Sequence, residues 1–290
     1  MQKHAHFDLY LPTAGEIAHA LGQSVRSRTT LHQWPLSCVE RIHTADGQAY
    51  ICKSISGPLI EPVFYQAIAA DLLPGCRVLH LDQRYAIMLL DDLAWTGLAW
   101  TRADQMHLTL PQAISLAEQL TSCIRELPAS APLFMDLASA SAWEAIVTQM
   151  VDTVQALIEA DGFGAVTPVI VTRIRRACVA PALVAALDNA PGLIHADLTA
   201  QNVFVREGQV KVIDWQFPRR GPRDLDRTLF LMSLGHSPAG VADGGTVALL
   251  HLLRIEWFVQ CAVRWFPAGR DGYSTQIVEN LALAEQALSA

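Results

Sequence analysis

The sequence is poor in several features, and each shortage closes a class of function. No glycine occurs between Val25 and Asp46, and neither G-x-x-x-x-G-K-[ST] nor G-x-G-x-x-G is present anywhere. The phosphate-cradling P-loop and the dinucleotide fingerprint are therefore missing. The six cysteines (Cys38, Cys52, Cys76, Cys123, Cys178, Cys261) include no C-x-x-C pair, which favours reduced, mostly buried thiols over a zinc site or a disulfide framework. Charged residues make up only 17% of the chain, and the formal net charge is -7 with no basic stripe. No nucleic-acid partner is expected. No stretch approaches 18 uninterrupted apolar residues, so no membrane span is expected. Residues 1–8 lack the apolar core of a signal peptide, and the expected location is the cytoplasm.

What is present is a core. Of 290 residues, 51% are hydrophobic, enough for one large domain or two unequal lobes around a cleft. The first ninety residues read mainly as strands and turns. Cys38–His43 and Gln48–Lys53 are β-type runs joined through Asp46-Gly47, a strong hairpin signal. Pro62 suits the first turn of a helix over roughly Pro62–Asp71. Val78–Leu81 and Tyr85–Leu90 read as two more strands.

After residue 92 the spacing becomes helical. Pro111–Leu127 carries Leu116, Leu120, Ile124 and Leu127 on one stripe, and Ala142–Ala160 and Pro168–Cys178 are patterned likewise. A short strand at Gly192–His195 precedes a hairpin of Val203–Val205 and Val210–Ile213, turned at Glu207-Gly208. The remainder, Asp226–Leu234, Thr246–Phe266 and Ser274–Leu288, is helical. The expected domains are residues 1–92 and 93–290, with a boundary near 91–98 where Gly97 lies between two tryptophans.

The chemistry concentrates in His195-x-Asp197-x-x-x-x-Asn202 and in Val210-Lys211-Val212-Ile213-Asp214. Phosphoryl transfer needs an acceptor hydroxyl positioned and relieved of its proton, with divalent cations held against the phosphates. Asp197 suits the base. Asn202 offers an amide oxygen and Asp214 a carboxylate, the ligands a hard cation such as Mg2+ prefers. A hairpin between Asn202 and Asp214 brings both to its same end. Such spacing arises by chance in about one chain in a hundred at ordinary composition.

These residues resemble the aminoglycoside phosphotransferase and choline kinase family, relatives of the protein kinases. The family's catalytic loop is similar to H-G-D-x-x-x-x-N, with Ala196 here in place of the glycine. Its metal motif is similar to Ile213-Asp214-Trp215. Asp224-Leu225 is similar to the D-L-A that follows, with Asp226 replacing the alanine. The resemblance implies an α+β, two-lobed protein-kinase-like fold, with a small β-rich nucleotide-binding lobe and a larger helical lobe carrying the catalytic loop and acceptor site. It implies transfer of the γ-phosphoryl group of ATP or GTP, with Mg2+, to a hydroxyl of a small molecule, by a monomer or homodimer.

Upstream, Lys53 resembles the lysine that grips the α- and β-phosphates, and Glu61 the glutamate that pairs with it. Only seven residues lie between them. Leu90, Asp91 and Leu93 fall where the family's hinge holds adenine through backbone groups. The loop over the phosphates is expected at 32–37, with Ser37 supplying a hydroxyl and an N–H in place of glycine.

Other residues stay open on sequence alone. Arg219, Arg220, Arg223 and Arg227 recognise an anionic acceptor or pair with Asp224 and Asp226. Glu256, Trp257 and Trp265 lie on the helix that walls the acceptor site in relatives, where aromatic faces suit a cationic acceptor and core packing is the plainer explanation. Two further readings compete: a kinase-like binding protein without transfer, and a kinase acting on a protein or lipid-linked sugar. An A-P-E segment is absent and nine residues separate Asp214 from Asp224, which leaves little room for a peptide platform.

Overall fold

A computed structural model of the chain describes residues 1–95, 100–160, 163–189 and 191–289; Gly97, part of the expected boundary, lies outside them. The elements begin with β1 (Gln2–Lys3), β2 (Tyr10–Leu11), α1 (Ala14–Leu21), β3 (Val25–Trp34), β4 (Ser37–Thr44), β5 (Ala49–Ile55), α2 (Ile60–Ala67), β6 (Cys76–Leu81), β7 (Ala86–Asp91) and β8 (Thr101–Arg102). There follow α3 (Leu110–Arg125), β9 (Met135–Asp136), α4 (Ala140–Glu159), α5 (Pro168–Cys178), α6 (Pro181–Leu187), β10 (Pro191–Ile194), β11 (Val203–Arg206), β12 (Gln209–Val212) and β13 (Arg219–Pro222). The last helices are α7 (Asp224–Ser233), α8 (Gly244–Gln260) and α9 (Arg270–Ser289).

The chain divides into two compact units that interleave in sequence. The first comprises Met1–His107, Leu127–Phe134 and Ala200–Phe217, and the second Leu108–Glu126, Met135–Thr199 and Pro218–Ala290. This differs from the expected division at residue 92. The reason is the β11–β12 hairpin, which pairs with β8 and is tied down by Val212 N–H donating to Leu72 O at 2.8 Å. Lys211 Nζ adds bonds to Asp71 O at 3.0 Å and Leu73 O at 2.6 Å.

In the first unit, an antiparallel sheet of order β3-β4-β5-β7-β6 carries α1 on one face. Strand side chains alternate between faces. Ile42, Cys52, Ile87 and Leu89 therefore turn toward Ile17 of α1, while Val39, Ile51 and Lys53 turn the other way. Helix α1 is well bounded: Thr13 and Glu16 form a reciprocal capping box, and Gly22 closes it at φ 69. Helix α2 begins two residues before Pro62 and stops at Ala67, shorter than expected. Pro62 still lies in the first turn, where a missing N–H costs nothing.

The second unit is built from helices around one core that includes Trp143, Met150, Val154, Ile174, Leu229, Leu249, Leu252 and Ile277. Helix α3 buries Ala113, Ala117, Leu120 and Ile124, with Leu116 only half-buried, so small alanines set half of the stripe. Helix α8 is buried on nearly every side. Its N-terminus packs so closely that a Cβ at Gly245 would lie 2.1 Å from Ala182 O. Gly244–Trp265 is long and apolar enough to cross a membrane, but 67% of its most apolar 18-residue window is buried inside the protein, as befits a core helix. A three-stranded sheet, β10-β13-β9, edges the unit.

Candidate active site

Beneath the sheet of the first unit lies a cavity of about 240 Å³. Leu31, Val39 and Ile51 line it from β3, β4 and β5, and Phe204 and Ile213 from the β11–β12 hairpin; Leu90, Asp91, Asp92 and Leu93 form one edge. The walls are apolar and the charged groups sit at the ends, the usual composition of a small-molecule site. At one end Arg41 Nε donates to Asp92 Oδ2 at 2.5 Å, and Asp92 Oδ1 accepts from Ala94 N at 3.1 Å. This buried carboxylate fixes both β4 and the turn that follows β7. Asp91 faces away: its N–H donates to Gly75 O at 2.9 Å, and its Oδ2 accepts from Gly75 N at 2.9 Å.

The other end holds Lys53, Glu61 and Asp214. Lys53 Nζ lies 2.6 Å from Glu61 Oε2 and 2.5 Å from Asp214 Oδ1. Lys53 and Glu61 are both buried. The tight spacing noted in the sequence is met because α2 begins at Ile60 and presents Glu61 at once. Burial opposes the charge on Lys53, but Asp214 and Glu61 outweigh it and hold the ammonium well above its usual range. Burial pushes the Glu61 carboxyl up to about 7, against the pull of Lys53. Gln216 Nε2 also donates to Asp214 Oδ1, at 2.6 Å. Asp214 adopts φ 69, a left-handed conformation that Asp tolerates better than most residues. Ile213 N–H donates to Asn202 O at 2.9 Å, so Asn202 and Asp214 stand at the same end of the hairpin.

In the second unit, β10 delivers the segment His195–Asp197. Buried Asp226 receives both of its leading amides, His195 N–H on Oδ2 at 2.7 Å and Ala196 N–H on Oδ1 at 2.8 Å. Asp197 N–H donates to His195 Nδ1 at 3.2 Å, so in the neutral imidazole the proton sits on Nε2. Ala196 has φ 64, a left-handed turn that explains why a glycine is common at this point of the motif. Burial pushes the Asp226 carboxyl up to about 6, offset in part by the two amides. Buried Arg219 lies opposite Ile194 across β10 and β13. Burial pushes its guanidinium down, while Glu256, Asp197 and Asp226 draw it up.

The predicted residues thus fall into three groups. Lys53, Glu61, Leu90, Asp91, Leu93 and Asp214 meet at one cavity in the first unit, with Asn202 beside it. Asp197 belongs to the second unit. Ser37 joins neither group: it is buried, does not line the cavity, and its Oγ accepts from Trp34 Nε1 at 2.5 Å. The expected loop over 32–37 is a two-residue turn, Pro35-Leu36, because β3 runs to Trp34 and β4 starts at Ser37.

The arginines disperse. Arg220 approaches Asp136 at 3.4 Å and Arg227 approaches Asp224 at 4.0 Å, while Arg223 lies over Gly192. Sequence reading missed Arg41, Asp92 and Gln201 at the cavity, and the role of Asp226. The last had a signal: an aspartate where the similar D-L-A segment has alanine, twelve positions after Asp214.

A family model described as the phosphotransferase enzyme family (APH) matches residues 42–258, more than half of the chain. A comparison with curated proteins finds no match. Among solved structures, the chain is similar to a choline/ethanolamine kinase family protein from Mesorhizobium loti, with 15% identity, a TM-score of 0.62, and 91% of this chain and 88% of that one covered. It is similar to the macrolide 2'-phosphotransferase MphH from Brachybacterium faecium, with 14% identity, a TM-score of 0.59, and coverage of 90% and 95%. A third is a thermostable mutant of aminoglycoside phosphotransferase APH(4)-Ia in ternary complex with AMP-PNP and hygromycin B, with 13% identity, a TM-score of 0.58, and coverage of 96% and 98%. These likenesses show a protein-kinase-like α+β fold. With the family model covering the motif residues from Lys53 to Asp214, the chain belongs to the phosphotransferase enzyme family.

Proposed function

We propose that the protein transfers the γ-phosphoryl group of ATP to a hydroxyl of a small molecule. The observation that carries this reading is Lys53 Nζ held between Glu61 and Asp214 at 2.6 and 2.5 Å, at the charged end of an apolar cavity. The slot between Ile51 and Phe204 suits a purine, with Asp91 and Leu93 offering backbone groups to its edge. Lys53 would bind the α- and β-phosphates, and Glu61 would keep its ammonium charged and aimed.

Asp197 would take the proton of the acceptor hydroxyl as its oxygen forms the new P–O bond. The bond from the γ-phosphorus to the bridging oxygen breaks, its electron pair leaving on ADP. His195, braced by Asp226, would hold the Asp197 segment rather than react. Mg2+ fits the donor set: Asn202 and Asp214 offer an amide and a carboxylate oxygen, both hard ligands on one hairpin end, and the remaining positions suit phosphate and water. The bound ion would neutralise charge on the phosphates.

Acceptor-dependent ADP release from Mg-ATP tests the reading. Release with a panel of hydroxyl compounds supports it, and none with any of them overturns it. The short Pro35-Leu36 turn and the buried Ser37 favour one alternative, a nucleotide-binding protein without transfer. That alternative predicts nucleotide binding with no ADP formed.

A further inference from the structure

Helix α2 brings more than Glu61 to the charged end of the cavity. Phe64 and Trp215, both fully buried, stack with ring centroids 4.4 Å apart and planes 10° from parallel. The stack sets the last turn of α2 against the residue that follows Asp214. Tyr65, one helical turn beyond Glu61, lines the cavity beside Lys53, Glu61 and Asp214. It is 8% exposed, and its hydroxyl has no hydrogen-bond partner among the described residues. Burial, reinforced by Glu61 and Asp214, pushes the phenol well above its ordinary range, so it keeps its proton. A buried hydroxyl left unpaired destabilises a fold, and a phenylalanine here would not carry that penalty.

The main-chain N–H of Asp214 faces the phenolic oxygen without closing a hydrogen bond. The Asp214 carboxylate is held from the other side, with Oδ1 accepting from Lys53 Nζ at 2.5 Å and from Gln216 Nε2 at 2.6 Å. Its carbonyl accepts from Gln216 N–H at 2.8 Å, closing the turn at φ 69. In a loaded site the same ammonium is called to the phosphates and the same carboxylate to the metal. The Lys53–Asp214 ion pair then loosens just as Asp214 needs a fixed direction, and a hold on its main chain must take over.

We propose that Tyr65 is a positioning residue for the metal site: in the nucleotide-loaded protein its hydroxyl oxygen accepts the Asp214 N–H and keeps that carboxylate aimed while Lys53 serves the phosphates. The Phe64–Trp215 stack limits how far the turn moves as this bond closes. This rests on the phosphotransferase reading above, and the transfer step is unchanged by it.

Tyr65→Phe removes the hydroxyl and keeps the ring. Three measurements on the full chain separate its possible roles: urea unfolding without ligand, binding of AMP-PNP in EDTA, and titration of Mg2+ at saturating AMP-PNP, the last two followed by thermal shift. Stability without ligand should equal or exceed that of the unsubstituted protein, and the Kd for AMP-PNP in EDTA should change by less than about twofold. The apparent Kd for Mg2+ should rise about fivefold to tenfold, the worth of one hydrogen bond. In an Asp214→Asn background, Tyr65→Phe should raise it no further. An unchanged Kd for Mg2+ overturns the inference, as does a further rise in that background. A weaker Kd for AMP-PNP in EDTA puts the hydroxyl on the phosphates instead, and lower stability without ligand means that it is already bonded in the empty site; either result overturns the inference. All of these leave the phosphotransferase reading intact. Failure of the unsubstituted protein to bind AMP-PNP with Mg2+ counts against both.

Discussion

Lys53 and Asp197 are held in opposite ways. Lys53 is gripped through its side chain, between the carboxylates of Glu61 and Asp214. Asp197 is positioned through its main chain, in a turn whose two preceding amides, those of His195 and Ala196, land on one buried carboxylate, Asp226. A side-chain grip writes itself into the sequence as a charged pair at recognisable spacing. A main-chain grip leaves no such mark in the sequence of residues 195–197, because the acceptor lies 31 positions away and pairs with backbone rather than with a residue type. The first arrangement fixes a charge; the second fixes a direction.

The largest effect should come from the second region. Asp197→Asn keeps the turn and removes the proposed base, so turnover should fall by about a thousandfold, within the range for general bases. Unfolding and Mg-ATP titrations should be near those of the unsubstituted protein. Near-normal turnover would take the base assignment away from Asp197.

In the first region the cost should appear in stability. Lys53→Met strands Glu61 and Asp214, and a buried charge without its partner costs about 3 kcal/mol or more. Adding Glu61→Gln should restore a good part of that loss in urea unfolding while leaving nucleotide binding weak. If the double variant is no more stable than the single one, the two side chains are not coupled as the distances imply.

Asp226→Asn sharpens the contrast through pH. Burial raises the Asp226 carboxyl to about 6, above its ordinary value near 4. Its stabilising contribution is complete below the ordinary value and is lost as pH rises through about 6. The stability of the unsubstituted protein relative to Asp226→Asn should therefore fall between pH 4 and pH 7 in urea unfolding. A difference that rises over that interval would mean that the two amides and Arg219 dominate over burial.

The smallest effect is expected at Ser37. Its hydroxyl serves Trp34, so Ser37→Ala should cost about 1 kcal/mol or less and change the KM for ATP by no more than about twofold. A large rise in that KM would return Ser37 to the nucleotide.

Local turn chemistry made much of the fold legible. Asp46-Gly47 and Glu207-Gly208 announce their hairpins, and Pro111 and Pro168 fall at helix starts. Lys53, Glu61, Asn202 and Asp214 could be proposed from sequence for a related reason, since the role proposed for each belongs to its own side chain. Strand β3 escaped because it is an edge strand with residues exposed on both faces, which erases the alternation that marks a half-buried strand. Helix α6 escaped because seven residues from Pro181 are too few for a periodic signal. Asp226 was visible only as a residue out of place in a D-L-A motif, and tertiary structure was needed to give it a function. Arg41 and Asp92 lie 51 positions apart, and nothing in the local sequence of either names the other.

The central claim is that the cavity beneath the sheet, with Lys53 at its end, takes a nucleotide triphosphate. Titrating Mg-ATP into the full chain and following thermal unfolding tests this most directly. Ligand at about a hundred times its Kd should stabilise the folded state by about 2.7 kcal/mol, seen as a rise in Tm of several degrees that is lost in Lys53→Met with Glu61→Gln. No rise at millimolar nucleotide, or an equal rise in that double variant, would contradict the account.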